Sequence, residues 1–177
     1  MSNTTSSITA VTAQRHGDQY WQPQKDMRYA STLSTVPIVG LEASRAALCM
    51  PIAFVQQGDH VGLVAVTGLQ PGKNVFVGPD GRWLARYVPA LLRAFPFSLL
   101  PTDSGELALA VDEGAITPNV SPQRERFYTN GGDALAPLVQ ETFRFLANVY
   151  QNHAATLIAT AQLKACGLLQ SWPITIQ

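Results

Sequence analysis

Apolar residues recur with two different periods along this chain, and the change of period marks out its elements. Val139, Phe143, Leu146, Tyr150, Ala154, Leu157, Ala161 and Ala165 step by threes and fours, the stripe of an amphipathic helix of about eight turns. Asp133 is placed to cap its start, and Gly167 suits the left-handed position after its last turn. At about 1.5 Å per residue such a helix reaches roughly 45 Å, more than a domain of this size needs. It is therefore expected either to run past its own core or to break near His153.

Upstream the period shortens. Ile52–Gln56 and Val61–Leu69 are β-branched and apolar around Gln57-Gly58-Asp59, which predicts a hairpin. Phe97–Leu100 and Leu107–Val111 predict a second one across Asp103-Ser104-Gly105. Asn74–Val77 reads as a further strand between the Pro71-Gly72 turn and Pro79-Asp80-Gly81. The apolar run Val36–Val39 precedes a helix from Leu41 to about Cys49. Trp83, Tyr87, Leu91 and Phe95 recur every fourth residue, with Val88 and Leu92 beside them. That predicts a covering helix over Arg86–Phe95 with Pro89 in its first turn, where a missing N–H costs nothing.

Two stretches lack any period. Residues 1–19 are polar and read as an arm, and residues 114–133 form a long Pro/Asn/Gly-rich loop holding Arg124, Glu125 and Arg126. Loops of that length tend to be functional. The organisation expected is an arm (1–19), an α+β core (20–113), the loop (114–133), and a C-terminal helix with its tail (134–177). Short connections force antiparallel pairing, because parallel strands need crossovers of about a dozen residues or more. The fold class is thus α+β. An antiparallel sheet of two hairpin units carries a short covering helix, a long C-terminal helix and an extended N-terminal arm.

Composition narrows the function. The 177 residues hold 12 Lys+Arg against 12 Asp+Glu, a formal charge of zero, so the basic footprint of a nucleic-acid binder is missing. Charged residues make up 14% of the chain, against about 25% for an average domain, and such a surface is cheaply buried in an assembly. No apolar run approaches the 18 or so residues of a membrane span, and Met1–Thr12 has no charged and apolar regions of a Sec signal. Cytoplasmic synthesis follows. Cys49 and Cys166 are open to a disulfide, though two buried free thiols in a reducing compartment is the expected state.

Candidate chemistry is sparse. His16, His60 and His153 are isolated and neither cysteine has a close-spaced partner, so no metal site is assigned. There is no nucleophile elbow, and Gly72-Lys73 lacks the rest of a phosphate loop. Asp112-Glu113 is the acidic pair that follows a strand, but adjacent strand residues point to opposite faces and should not converge for acid–base work. An ion pair with Arg82 or Arg86 is the expected role. Asp112, Glu113, Arg82, Arg86, Arg124 and Arg126 are the binding candidates, and Tyr20, Trp21, Tyr150 and Trp172 the interface candidates. No catalytic residue and no cofactor is assigned.

An ordered set of short motifs runs through the chain. It comprises Ala53-Phe54-Val55, Gly68-Leu69, Asn74-Val75-Phe76-Val77, Asp80-Gly81-Arg82-Trp83, Arg86-Tyr87-Val88-Pro89-Ala90, Phe95-Pro96-Phe97 and Val111-Asp112-Glu113. Gly167-Leu168-Leu169 and Trp172-Pro173 close the set, which resembles the SapC-like family over most of residues 35–173. This is the family named from a surface-array (S-layer) locus, not the membrane-spanning peptide-transport permease of the same name. The resemblance implies a small soluble protein without an established reaction. It also implies a longer tail and an acidic loop in place of 114–133, so this sequence is expected to be a shortened form adapted to a particular context, a virion included. The function expected is a non-catalytic structural or accessory protein of a surface layer or virus particle, with other protein subunits, identical or different, as partners. An accessory module presenting a peptide or small ligand is the alternative, and a hydrolase a third.

Overall fold

The computed structural model describes residues 7–23, 25–102, 104–117, 124–129, 132 and 134–172. In chain order its elements are β1 (Ile8–Ala10), α1 (Ala13–His16), β2 (Tyr20–Trp21), β3 (Thr35–Pro37), α2 (Gly40–Ala47), β4 (Ile52–Gln57), β5 (His60–Val66), α3 (Ala90–Ala94), β6 (Phe97–Pro101), β7 (Leu107–Asp112), β8 (Ile116–Thr117), β9 (Glu125–Arg126) and α4 (Pro137–Ala165). The architecture is mixed α+β and every named strand pair is antiparallel. The chain divides into two compact units, Met1–Gln24 with Ala94–Asn148, and Lys25–Arg93 with Val149–Gln177. The two expected hairpins are present, but each sits in its own three-stranded sheet rather than in a common one.

In the first unit the sheet order is β1-β7-β6, and a small ribbon runs β8-β2-β9. Residues 7–19, expected to extend outward, are built in: β1 pairs with β7 in the register Ile8↔Asp112, Thr9↔Val111, Ala10↔Ala110. α1 then brings His16 to full burial beside the Phe127 ring, 5.2 Å between centroids. The core is aromatic. Trp21 meets Phe97 edge-on at 4.7 Å, Phe97 meets Phe127 at 5.8 Å, and Val111, Val139 and Leu146 close around them. The ends of the expected long loop form β8 and β9, which flank β2.

In the second unit the sheet order is β3-β5-β4, with β5 buried in the middle. Ile38, Ala46, Met50, Leu63 and Ala65 form one cluster, and Met27, Ala30, Val36 and Leu92 another. Asn74–Val77 is not a strand; only Val77 bridges, to Trp83, across the turn at Gly81. The covering helix is also shorter than expected, since only Ala90–Ala94 is helical. Pro89 disfavours a helical residue before it. The preceding segment instead spends its polar groups on other partners: Trp83 Nε1 donates to the Tyr87 carbonyl at 2.7 Å, and Tyr87 Oη to Glu42 Oε1 at 2.6 Å. Glu42 is the polar centre of this unit. Its buried carboxylate also accepts the Ala90 N–H at 2.7 Å and the Val39 N–H at 3.1 Å.

α4 runs unbroken past His153 for 29 residues. Its length is explained by membership of both units: Val139 and Leu146 lie in the first core, while from Val149 on it belongs to the second. There it is attached by threonines. Thr160 Oγ1 donates to the Val61 carbonyl at 2.7 Å, and Thr156 Oγ1 accepts the Gly40 N–H at 2.8 Å. Gly167 ends it at φ +66°, with its N–H on the Lys164 carbonyl at 3.0 Å and the Leu168 N–H on Leu163 at 3.1 Å, the paired bonds of a Schellman stop. The Asp133 cap lies outside the described residues.

Candidate functional site

β4 reads Ile-Ala-Phe-Val-Gln-Gln, six residues without a charge or a proline. It pairs with β5 from Ile52↔Ala65 to Gln57↔His60 and is the outer strand of its sheet among the described residues. Natural edge strands are usually blunted by lysine, proline, a bulge or a covering segment, because unpaired backbone groups invite another strand. β4 carries none of the first two within its length. Alternation puts Ile52, Phe54 and Gln56 on one face and Ala53, Val55 and Gln57 on the other. Phe54 is 44% exposed and Val55 36%, so the strand is open on both faces.

The Schellman stop turns the chain after α4 so that Leu168–Trp172 comes back beside this strand. Between them lies an open groove of about 670 Å³, lined by Ile52, Phe54 and Gln56 on the strand side and by Lys164, Leu168 and Trp172 beyond it. Leu168 is 67% and Trp172 65% exposed. Lys164 is the single charged residue of the lining, and its ammonium donates to Gln56 Oε1 at 2.9 Å across the groove's end. Such a surface combines apolar contact at Ile52, Phe54, Leu168 and Trp172 with a polar end at Gln56 and Lys164.

The residues singled out from sequence fall elsewhere, with one exception. Glu113 binds within its own unit, accepting Thr9 Oγ1 at 2.5 Å and pairing with Arg15 Nε at 2.7 Å, with His16 Nε2 at 3.9 Å. The expected partners, Arg82 and Arg86, are not involved: Arg82 pairs with its neighbour Asp80 at 2.8 Å, and Arg86 is exposed. The Thr9 hydroxyl, then Arg15, hold the Glu113 carboxyl below its ordinary value. Asp112 accepts the Gly114 N–H at 2.9 Å and starts a 3-10 turn. Arg126 lies over the Tyr20 ring at 5.4 Å, and Arg124 is half-buried. The acidic pair and these two arginines belong to the first unit, Arg82 and Arg86 to the second.

Two interface candidates are corrected. Tyr20 and Trp21 are 9% and 4% exposed, held in the middle of the β8-β2-β9 ribbon, and serve the core. Tyr150 is 51% exposed on α4, and Trp172 lines the groove. Both cysteines are free, but neither is fully buried: Cys49 is half-buried and Cys166 exposed. Burial pushes the His16 imidazole below its ordinary value. Its Nδ1 lies 3.1 Å from the Thr12 nitrogen and 3.3 Å from the Thr12 carbonyl oxygen, and its buried Nε2 has no hydrogen-bond partner among the described residues. Tyr87 is pushed up to about 12 by burial and its bond to Glu42, so it acts as a donor.

The second unit is therefore a packed antiparallel scaffold whose β4 is an outer strand among the described residues. No helix among the described residues is long and apolar enough to cross a membrane. The SapC family model matches residues 11–177, and the chain belongs to that family. No curated protein and no solved structure matches it.

Proposed function

We propose that this chain is a non-catalytic structural or accessory subunit of a larger protein assembly, a surface layer or virus particle being the setting its family resemblance suggests. The observation that carries the reading is the uncharged β4, an outer strand among the described residues, beside an open groove of mixed apolar and polar lining. Adding a strand to such an edge satisfies backbone groups and seats alternate side chains, a recurrent mode of protein recognition. The chain's low charge supports the same reading, since 14% charged residues leave little to desolvate.

The groove's volume of about 670 Å³ also falls within the range of roughly 300–1,000 Å³ that accommodates small ligands. That keeps ligand presentation as the second reading. Photo-crosslinking in the producing cells tests the first. A benzophenone amino acid replacing Val55 is expected to give adducts with a second protein chain, whereas one replacing Leu69, 57% exposed in a turn, gives none. A position-55 protein that stays free of adducts while folded overturns the docking role.

A further inference from the structure

We infer that residues 7–19 are an acid-released clasp on the first unit, which lets go of β7 as one piece while β2, β6 and β7 stay folded. The segment is attached at few points. Of its residues only His16 is buried, with Val11 half-buried against the aromatic core. Its backbone is held along one strand edge: the Val11 N–H donates to the Leu109 carbonyl at 2.8 Å, and the Ser7 carbonyl accepts the Glu113 N–H at 3.0 Å. Segments with few buried apolar contacts and exposed backbone bonds open at the lowest cost. Beyond Gln19 the chain enters β2, which is paired on both sides and carries Trp21 into the core, so the opening stops there.

Three side chains of the segment converge on one carboxylate of the body. Glu113, on the turn after β7, accepts Thr9 Oγ1 at 2.5 Å, pairs with Arg15 Nε at 2.7 Å and lies 3.9 Å from His16 Nε2. Among the described residues Glu113 and Arg15 are the charged groups that face His16; the Phe127 ring, 5.2 Å away between centroids, is uncharged. One titrating carboxylate and one buried imidazole thus fasten both β1 and α1.

Both groups bind protons more readily when the clasp is open. In the closed form His16 is fully buried and its Nε2 has no hydrogen-bond partner among the described residues. Burial disfavours the imidazolium more than the nearby Glu113 carboxylate favours it, and holds the group below 6.5. The Thr9 hydroxyl, then Arg15, hold Glu113 below 4.5. Release hydrates both groups and returns them to their ordinary values. The clasp is therefore closed above pH 6.5 and loosens as the pH falls from there through the folded value of His16. It loosens again below 4.5, as Glu113 takes a proton and gives up Arg15. In the open form β7 (Leu107–Asp112) becomes an outer strand, with the Leu109 carbonyl and the Glu113 N–H unpaired.

Amide hydrogen exchange of the full chain, read residue by residue by NMR as protection factors at several pH values, gives the test. The Val11 and Glu113 N–H groups report on the clasp, while the Asp112 N–H, bonded the other way to the Pro96 carbonyl at 3.0 Å, reports on the body. Protection at Val11 and Glu113 is expected to fall about threefold or more between pH 7 and pH 5, within the tenfold per pH unit that one site allows, while Asp112 keeps its own. His16→Leu should abolish that fall. Should His16→Leu fail to fold, Glu113→Gln decides: Val11 loses protection already at pH 7, and the further loss below pH 4.5 is seen in the parent chain alone. Protection at Val11 and Glu113 that does not change with pH overturns the inference. So does a loss at Asp112 in step with theirs, which marks unfolding of the whole unit, or a fall that persists in His16→Leu.

Discussion

Replacing Glu42 should destabilise this protein more than any other single polar change in its second unit. The carboxylate is 6% exposed and takes three donors, Tyr87 Oη at 2.6 Å, the Ala90 N–H at 2.7 Å and the Val39 N–H at 3.1 Å. Hydrogen bonds to a charged group contribute about 1.5–3 kcal/mol each, so three separate ones would sum to roughly 4.5–9 kcal/mol. They share one acceptor group and are not additive, and removing a buried charged partner typically costs about 3–5 kcal/mol. Glu42→Ala is expected to lose about 4 kcal/mol. Glu42→Gln should lose less, about 2 kcal/mol, because its carbonyl oxygen can keep Tyr87 and Ala90 while its amide faces the Val39 N–H without accepting it. Urea unfolding followed by circular dichroism measures both differences at constant slope. If Glu42→Ala stays within about 1 kcal/mol of the parent chain, or matches Glu42→Gln, the three-donor account is wrong.

His16 predicts a pH dependence. Burial holds its folded value below 6.5, so the unfolded chain binds the proton more readily. Stability is complete above pH 6.5 and falls as the pH drops from there through the folded value; His16→Leu should flatten that window in a titration of unfolding midpoints. A further loss, below the ordinary 4.5 of Glu113, should remain in the variant and disappear in Glu113→Gln. A Cβ on Gly68 would overlap the Lys73 carbonyl oxygen, whereas one on Gly72 meets nothing and strains only its φ of +74°. Gly68→Ala should cost at least ~2 kcal/mol and Gly72→Ala about 1 kcal/mol by thermal melts, and the reverse order would contradict the contact. Thr160→Val removes the bond that holds α4 to the Val61 carbonyl and leaves that buried oxygen unpaired. About 1–2 kcal/mol should be lost, read as faster amide exchange in β5.

The hairpins and the end of α4 were legible because their causes are local. Period-two apolar runs around Gly58 and Gly105 need only their own turns, and Gly167 stops a helix by its own φ. What failed was everything decided by a distant partner. Ile8–Ala10 is too short and too exposed to announce a strand, and becomes one only against Val111 in β7. Trp83, Tyr87 and Phe95 share a helical spacing by coincidence: Trp83 stacks on Phe76 at 5.7 Å, and Tyr87 reaches back to Glu42.

Glu42 was not singled out from the sequence at all, although it is the buried acceptor of three hydrogen bonds. Its position three residues after Val39, where a side chain can accept an N-terminal amide, was the available signal. The groove was half visible. Trp172 stood out as an aromatic near the chain's end, and the apolar run of β4 was plain. That β4 is an outer strand depends on the order β3-β5-β4, which no local pattern encodes.

The size of the protein in a native extract of its producing cells, compared with that of its Val55→Lys variant, bears most directly on the β4 edge as a working surface. The edge account predicts that the parent chain elutes well above 19.1 kDa and that the variant, with an unchanged melting curve, falls back to that mass. Two chains that both elute as monomers, or that both remain in the same large species, would contradict it.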